Sequence, residues 1–364
     1  MNTKLIPLLS TLVIVLFLAN CVRETDFFQG NADQNALVVD GTFTDGPGPH
    51  IIRLTRPGDS NKQAFEPVRN AQITLSDDAG NQFNYQETVS PDGSRWFYQL
   101  NNVRGIQGRS YSLQILLPDG QTYRSRPEKM PAKVLLDSAS VKGEFLISNN
   151  ADGSIGKEPF AYVYAHTTVS TTGPYLRWEA ETVHIFNEIV KSYYPIPPPQ
   201  KQCFITNRLS DQQVSLVDLS DYQPGASIYE YVGKKRIDNA FEHRICFSVY
   251  QHSITRSAYE YWQKISQLIS PTGTIFDVPP SRIYGNVENT THPDNPAFGY
   301  FQVSAVDTAR VYTSNGLLGD DFLLSQTTYC DYDYSGKWPP VNHPECDDCL
   351  LLPSSTLQQP VWWQ

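Results

Sequence analysis

Apolar and polar residues alternate along most of the first third of the chain. Stretches such as Ala71–Ser76 and Tyr111–Leu116 place an apolar side chain at every second position, which is typical of strands with one buried face. Turn-forming sequences separate these stretches, among them Asp77–Asn81 and Pro118–Gln121. About seven such strands, at spacings of roughly 8–12 residues, predict a small β-sandwich over residues 35–130.

The alternation continues beyond Pro127 and Pro131, which mark a boundary before a larger β-rich region over residues 131–364. Between residues 205 and 221 the sequence is polar and mixed, and it predicts only one short helical turn. Elsewhere in this region, four stretches alternate clearly and predict strands. They are Phe160–Val169, Leu176–Ala180, Ile245–His252 and Phe298–Ala305.

One segment has helical spacing instead, because its apolar residues recur at intervals of three and four. Pro271 lies just beyond its end. Ser257 and Glu260 have the Ser-x-x-Glu spacing of a capping box, so we expect a helix near residues 257–270 that begins with this box. The apolar positions are Ala258, Tyr261, Trp262, Ile265, Leu268 and Ile269.

The chain opens with the pattern of an exported lipoprotein. Lys4 precedes the apolar run Leu5–Leu18, which is too short to span a bilayer and is typical of a signal peptide over residues 1–20. Leu18-Ala19-Asn20-Cys21 then resembles a bacterial lipobox, although Asn20 departs from its usual small residue. We expect Cys21 to be acylated and residues 21–34 to form a tether. The alternative is an ordinary signal peptide with a chance cysteine.

Composition agrees with an extracytoplasmic β-rich protein. Aromatic residues are frequent at 12% and charged residues are sparse at 18%. The formal net charge of −10 argues against nucleic acid as a partner. Acidic residues directly follow the lipobox in Arg23-Glu24-Thr25-Asp26, as in surface-exported lipoproteins of the Bacteroidota. No later stretch reaches the apolar length, about 18 residues, that a membrane span needs.

Five cysteines remain besides Cys21, and disulfides are expected in an exported chain. An odd number leaves one thiol over, and Cys246 is the candidate because it lies within a strand pattern. We expect one bridge within the C-terminal cluster and a second from Cys203 to that cluster. The disulfide candidates are Cys203, Cys330, Cys346 and Cys349.

A zinc site is the alternative for the C-terminal cluster. Cys346 and Cys349 have Cys-x-x-Cys spacing, and Cys330 and His343 lie close to them in the sequence. The absence of a second Cys-x-x-Cys pair favours disulfides. The terminal Trp362 and Trp363 are expected to pack in a core, with a partner interface as the alternative.

Catalytic motifs are absent: the chain has no Gly-x-Ser-x-Gly, His-Glu-x-x-His or Walker sequence. His292-Pro293-Asp294 reads as a polar loop. The acidic pairs Asp320-Asp321 and Asp331/Asp333 read as solvated turns, because neither has the ligand spacing of an EF-hand. We therefore predict no enzymatic activity, no metal and no cofactor. A surface hydrolase would require clustered carboxylates, or a Ser/His pair that meets in the fold. Two carboxylates about 5–9 Å apart in an aromatic cleft would favour it.

Short motifs in the first region resemble the immunoglobulin-like or transthyretin-like sandwich of carboxypeptidase regulatory-type modules. They are Pro67–Ala71, Asp78–Asn81, Gly108–Tyr111 and Asp119–Tyr123. Further motifs occur in the right order, and with them nearly the whole mature chain resembles a DUF4249-type lipoprotein family of the Bacteroidota, a family of unknown function. These motifs are Leu37–Pro49, Val134–Ser138, Tyr259–Trp262, Tyr284–Val287, Phe298–Ala305, Glu345–Cys349 and Pro360–Trp363.

The resemblance implies a location and a partner. Genes of this family commonly lie beside those of SusC-type TonB-dependent receptors. We therefore expect a lipid-anchored protein of the outer membrane that faces the cell surface, serves as an accessory to nutrient uptake and contacts a TonB-dependent β-barrel. The alternatives are an independent surface adhesin or structural module, and a surface hydrolase. The family carries no known catalytic residues.

Overall fold

The computed structural model describes most of the chain beyond residue 35, and its described residues are mostly β, which confirms the predicted fold class. The predicted signal peptide, Cys21 and the tether lie outside the described residues. None of the helices in the described part is long and apolar enough to cross a membrane. The described ranges are 36–58, 65–90, 93–149, 154–169, 175–188, 199–209, 214–269, 282–323 and 344–363.

Ten strands precede the linker at residue 131: β1 (Val38–Thr44), β2 (His50–Arg56), β3 (Glu66–Pro67), β4 (Gln72–Asp77), β5 (Gln82–Asn84), β6 (Gln86–Val89), β7 (Trp96–Leu100), β8 (Ser110–Leu116), β9 (Thr122–Ser125) and β10 (Glu128–Lys129). Ten more follow it: β11 (Ser138–Asn149), β12 (Ile155–Thr168), β13 (Tyr175–Asn187), β14 (Gln202–Arg208), β15 (Ser215–Asp218), β16 (Ser227–Arg236), β17 (Ile245–Ile254), β18 (Val287–Asn289), β19 (Phe298–Thr313) and β20 (Ser355–Thr356).

Within the described ranges the helices are few and, with one exception, short. Single turns of 3-10 helix lie at Leu219–Asp221, Asn239–Phe241, Asp320–Phe322 and Cys349–Leu351. The α-helices are α1 (Arg256–Ile269), α2 (Asn315–Leu318) and α3 (Pro344–Asp347).

The strands form three sheets. The largest has 11 strands, with the order β20-β14-β13-β17-β19-β1-β2-β7-β6 and with β15 and β3 on side branches. A six-stranded sheet has the order β18-β9-β8-β4-β5, with β10 attached to β8, and a three-stranded sheet has the order β11-β12-β16. In the largest sheet β1 and β19 run parallel, from Val38 opposite Phe298 to Thr44 opposite Ser304.

Each smaller sheet covers one half of the large sheet and encloses a core. The six-stranded sheet packs on β1, β2, β7 and β19 around fully buried residues such as Phe43, Tyr98 and Tyr123. The three-stranded sheet packs on β13 and β17 around residues such as Trp178 and Phe247. The described part of the chain is thus sandwich-like in both halves, and the large sheet runs through both predicted domains because β1 and β19 share it.

Helix α1 confirms the helix predicted near residues 257–270, but the predicted capping box is wrong. Thr255 is the N-cap, because its hydroxyl oxygen accepts a hydrogen bond of 3.2 Å from the backbone N–H of Ala258. The hydroxyl of Ser257 instead donates to Glu128 at 2.8 Å. Glu260 pairs with Arg256 one turn earlier, at 2.8 Å. Because the hydroxyl of Ser257 binds the buried carboxylate of Glu128, the N-cap is Thr255, two residues before the predicted one.

The polar stretch between residues 205 and 221 also differs from its prediction. The helical turn is present at Leu219–Asp221, but β14 and β15 precede it. Both strands pair with β13, so their backbone hydrogen bonds are made with a neighbour distant in sequence. Pairing of this kind gives strand structure to a segment whose own alternation is weak.

Candidate functional site

Where the structure describes them, the cysteines are disulfide-bonded or free as predicted. Cys203 in β14 forms a disulfide with Cys349 in the C-terminal tail, across a Cα–Cα distance of 6.0 Å. Cys346 is disulfide-bonded as well. Cys246 is free and buried, and burial raises the pKa of its thiol to about 11. Cys330 lies outside the described residues.

The alternative zinc site does not fit the bridged cysteines. A thiolate is the form that binds zinc, and Cys346 and Cys349 are both oxidised. Among the described residues no group of three or more His, Cys, Asp or Glu side chains could hold a metal ion. His343 lies outside those residues, as does the acidic pair Asp331/Asp333.

The remaining polar candidates lie apart from one another. The backbone N–H of His292 donates to the side chain of Asn289 at 2.8 Å, within an exposed loop. Asp320 and Asp321 are exposed in a single 3-10 turn. Trp363 is only 8% exposed and packs on Phe204, with a ring-centroid separation of 5.5 Å. The terminal tryptophan is therefore a core residue, as predicted.

A surface that the sequence did not reveal lies on the outer side of the three-stranded sheet. Along β12, the small residues Ala161, Val163 and Ala165 point inward and are buried, so the residues between them point outward. The outward positions of β12 and of its neighbour β16 carry aromatic rings. We call this surface the aromatic face; it consists of Phe160, Tyr162, Tyr164, His166, Tyr229 and Tyr231.

The rings of the aromatic face form a continuous ladder across the two strands. Tyr164 and Tyr229 stack with centroids 4.5 Å apart, and His166 meets the edge of Tyr229 at the same distance. Tyr231 is 5.9 Å from both Tyr162 and Tyr164. Cross-strand aromatic pairs stabilise a sheet, and here they also fix the orientation of each ring.

Two lysines complete this surface. The ammonium group of Lys142, on β11, lies 5.2 Å from the ring centre of Tyr229, and a hydrogen bond with that tyrosine raises the pKa of Lys142. The ammonium group of Lys234, on β16, lies 5.2 Å from the ring of Phe160. Cation–π contacts of this kind hold the charges beside the rings without covering the whole surface. Tyr229 remains 45% exposed.

The aromatic face has the composition of a protein-binding surface. The outward face of an antiparallel sheet is normally polar, and a cluster of partly exposed rings there departs from that rule. Tyrosine is enriched in interfaces because its ring offers a large contact area at little entropic cost, with a hydroxyl group for hydrogen bonds. Rings already fixed by their neighbours lose little further freedom when a partner binds.

The sequence predicted β12 but not the character of its outer face. The tyrosines take the polar positions in the alternation of this strand, but their rings are largely apolar, so the alternation does not tell what kind of surface they form. The available signal was size: alanine and valine lie at the inward positions, whereas rings occupy the outward ones. Small residues allow close packing against β13 and β17, and rings of this size are better accommodated outside.

Comparison with known proteins adds a family. No curated protein matches this chain. The model of the family described as "Domain of unknown function (DUF4249)" matches residues 24–310, which is most of the chain and nearly all of the two cores. The protein therefore belongs to the DUF4249 family.

Proposed function

We propose that this protein is a lipid-anchored accessory component of a TonB-dependent nutrient uptake system in the outer membrane. Support for the anchor comes from the lipobox at Cys21 and from the acidic residues that follow it. The anchor retains the protein at the membrane, because each buried methylene group of an acyl chain contributes about 0.8 kcal/mol. The folded body faces the cell surface.

The aromatic face is the observation that carries the proposal. An accessory protein must hold its receptor through a lasting contact, and such contacts centre on fixed aromatic anchors. Tyr162, Tyr164 and Tyr229 provide three anchors on one open sheet surface, with Lys142 and Lys234 at its margins. We assign this face to the TonB-dependent β-barrel as its partner.

A pull-down from outer membranes tests this role. The full-length protein carries a C-terminal tag, the membranes are dissolved in mild detergent, and the eluate is analysed by mass spectrometry. We expect a TonB-dependent receptor at near-stoichiometric yield. In the Tyr164→Ser/Tyr229→Ser variant the receptor should fall at least about tenfold, since interface anchors of this type each contribute about 2 kcal/mol or more.

The matched control is Phe65→Ser/Tyr222→Ser, which removes two rings that are 65% and 37% exposed elsewhere on the surface. It should retain the receptor fully. A solitary lipoprotein in the wild-type eluate would reject the accessory role and favour the adhesin. Equal loss in both variants would reject the aromatic face as the docking surface.

A further inference from the structure

An open cleft of about 640 Å³ lies where the two halves of the chain meet, beside the linker at residue 131. Its lining comes from four places: the loop before β8, the end of β10 with the linker, the start of β13, and the junction of β17 with α1. Clefts that bind small molecules typically enclose about 300–1,000 Å³ and occur preferentially at such boundaries. We call it the linker cleft; the side chains that line it include Gln107, Lys129, Pro131, Ala132, Tyr175 and Arg256.

Hydrogen bonds and a ring contact hold each wall of the linker cleft in place. On one side, the backbone N–H of Gly108 donates to the carbonyl of Met130 at 2.8 Å, and the N–H of Met130 donates to the carbonyl of Arg109 at 2.9 Å. On the other side, the ring of Tyr175 stacks on Tyr259 of α1 with centroids 4.6 Å apart. A ligand would therefore bind to walls that are already formed and would not have to order them.

The two walls are also joined to each other, through the residue that precedes Lys129 in β10. This residue, Glu128, accepts hydrogen bonds from the hydroxyls of Thr255 and Ser257 at the start of α1. Successive residues of a strand point to opposite sides, so the buried Glu128 faces these hydroxyls while the exposed Lys129 borders the cleft. The carboxylate of Glu128 is thus hydrogen-bonded within the protein and does not line the cleft.

The lining combines apolar surface with positive charge. Pro131, Ala132 and Tyr175 provide the apolar part, and the ring of Tyr175 is still partly exposed although Tyr259 covers one of its faces. Lys129 and Arg256 are the charged residues of the described lining, and none of that lining is acidic. An apolar cleft with a few polar groups at its margin is typical of a site for a small amphipathic molecule.

The polar groups of the cleft have donors that the described part of the protein leaves unused. Lys129 forms no ion pair and no side-chain hydrogen bond with any described residue. Arg256 donates to Glu260 through Nε at 2.8 Å, and because its side chain is 78% exposed, its Nη groups remain in solvent. The carboxamide oxygen of Gln107 accepts from the backbone N–H of Lys133 at 3.2 Å, so its NH₂ group is left to donate.

We infer that the linker cleft binds a small aromatic carboxylate, an organic acid built on a planar ring. The ring of the ligand packs on Tyr175 and Pro131, because stacked rings gain energy beyond the area they bury. The carboxylate accepts charge-assisted hydrogen bonds from Lys129 and Arg256. The NH₂ group of Gln107 supplies a further donor. Both parts of the ligand are needed, since the apolar surface and the cations lie in one cleft.

This inference goes beyond the proposed uptake role and does not depend on it. The described lining of the linker cleft and the aromatic face share no residue. Ligand binding is measured on the purified protein, whereas the receptor contact is measured on membranes. Either result can therefore fail without the other.

Calorimetric titration of the full-length protein in detergent micelles at pH 7.5 tests the inference with three probes. They are indole-3-acetate, indole-3-acetamide and acetate, which present a ring with a charge, the same ring without a charge, and the charge without a ring. Titration into micelles alone is subtracted from each measurement. We expect indole-3-acetate to bind at least about tenfold more tightly than either of the other two, because each of them lacks one of the two kinds of contact.

Filling the cleft tests where the probe binds. Ala132→Trp introduces a bulky ring at an exposed linker position that lines the cleft, and it should weaken indole-3-acetate at least about tenfold. Ala79→Trp introduces the same ring in an exposed turn elsewhere and should leave the affinity unchanged. Circular dichroism verifies the fold of each variant. An equal loss in the two variants would exclude the linker cleft as the binding site.

Removing the cations tests how the carboxylate is held. Lys129→Gln/Arg256→Gln should lower the affinity for indole-3-acetate at least about tenfold, to that for indole-3-acetamide, and should leave the affinity for the amide unchanged. Arg124→Gln/Lys157→Gln removes the same charge from exposed positions elsewhere and should not change either affinity. The inference is overturned if indole-3-acetate binds no more tightly than the other two probes, or if both double variants weaken it equally.

Discussion

The phenol of Tyr300 donates a hydrogen bond of 2.5 Å to the carboxylate of Glu128, and both side chains are buried. The same carboxylate accepts hydrogen bonds from the hydroxyls of Thr255 and Ser257 at the start of α1. One side chain of β10 thus connects the first region to the helix and to β19. Burial and the neighbouring Glu128 raise the pKa of Tyr300.

Removing this carboxylate should destabilise the protein strongly. Glu128→Ala leaves the hydroxyl groups of Tyr300, Thr255 and Ser257 without their acceptor, that of Tyr300 at a buried site, and we expect the free energy of unfolding to fall by about 3 kcal/mol or more. Urea denaturation monitored by tryptophan fluorescence measures the change. Glu128→Gln retains an acceptor and should cost less. Glu288→Ala, at a carboxylate that is 68% exposed, is the control and should change stability by less than about 0.5 kcal/mol. An equal effect of both alanine variants would contradict this assignment.

The glycines of two sequence motifs approach each other so closely that neither tolerates a side chain. A Cβ at Gly285 would lie 1.6 Å from the carbonyl oxygen of Gly299, and a Cβ at Gly299 would lie 2.1 Å from that of Val39. Gly299 also has a φ of 82°, which disfavours other residues. We expect Gly285→Ala to lower the melting temperature by more than about 10 °C or to prevent folding.

Gly316 provides the control for this prediction, because a Cβ there meets nothing within 4 Å. Gly316→Ala should melt within about 2 °C of the wild type. If Gly285→Ala melts equally close to the wild type, the close approach of the two glycines is wrong.

Acid should destabilise the protein through two buried histidines. Burial lowers the pKa of both His184 and His252 to about 4, whereas an unfolded chain binds the proton near 6.5. Below pH 6.5 the unfolded state therefore binds protons that the folded state does not bind. The free energy of unfolding falls as the pH is lowered, until the pH reaches about 4. The difference in pKa corresponds to at most about 3 kcal/mol for each group.

Denaturation curves between pH 7.5 and 4 measure this effect. His252→Gln removes one of the two groups, so its stability should depend less steeply on pH in that window. His292→Gln, at an exposed loop residue, should retain the full dependence. A wild-type curve that stays flat from pH 6.5 to 4 would contradict the burial of these rings.

The free thiol of Cys246 should be inert in the folded protein. Its pKa of about 11, against an ordinary value of 9.0, lowers the thiolate fraction at pH 8 about 100-fold, and the side chain is fully buried. Iodoacetamide at pH 8 should leave Cys246 unmodified for hours and label it rapidly in 6 M guanidinium chloride. Peptide mapping without reduction follows the label and should recover the Cys203 and Cys349 peptides linked. Rapid labelling without denaturant would reject the burial.

Sequence patterns predicted the individual strands and helices better than they predicted which of them pair with one another. The alternation in β12 and the helical spacing in α1 were sufficient, because each is a local signal. The cap of α1 was missed because Ser257 is drawn to Glu128, which lies 129 residues away in the chain. The pairing of β1 with β19 joins residues about 260 positions apart, and no local property of either strand specifies it.

The aromatic face was hidden from the sequence for a related reason. In the aromatic face, Tyr164 and Tyr229 come together only because β12 and β16 pair. The sequence shows which side chains are present, but the register between strands that are distant in sequence determines which of them are in contact.

The position of β1 gives the protein a mechanical property. β1 is the first described strand after Cys21, and it lies between β2 and β19 inside the large sheet, with seven residues in register along β19. Tension on an anchor at Cys21 would act along β1 and load its hydrogen bonds in shear. Bonds loaded this way must break together, whereas an edge strand can peel away one bond at a time. A protein held by its first strand in this manner would resist being pulled apart by a force on that anchor.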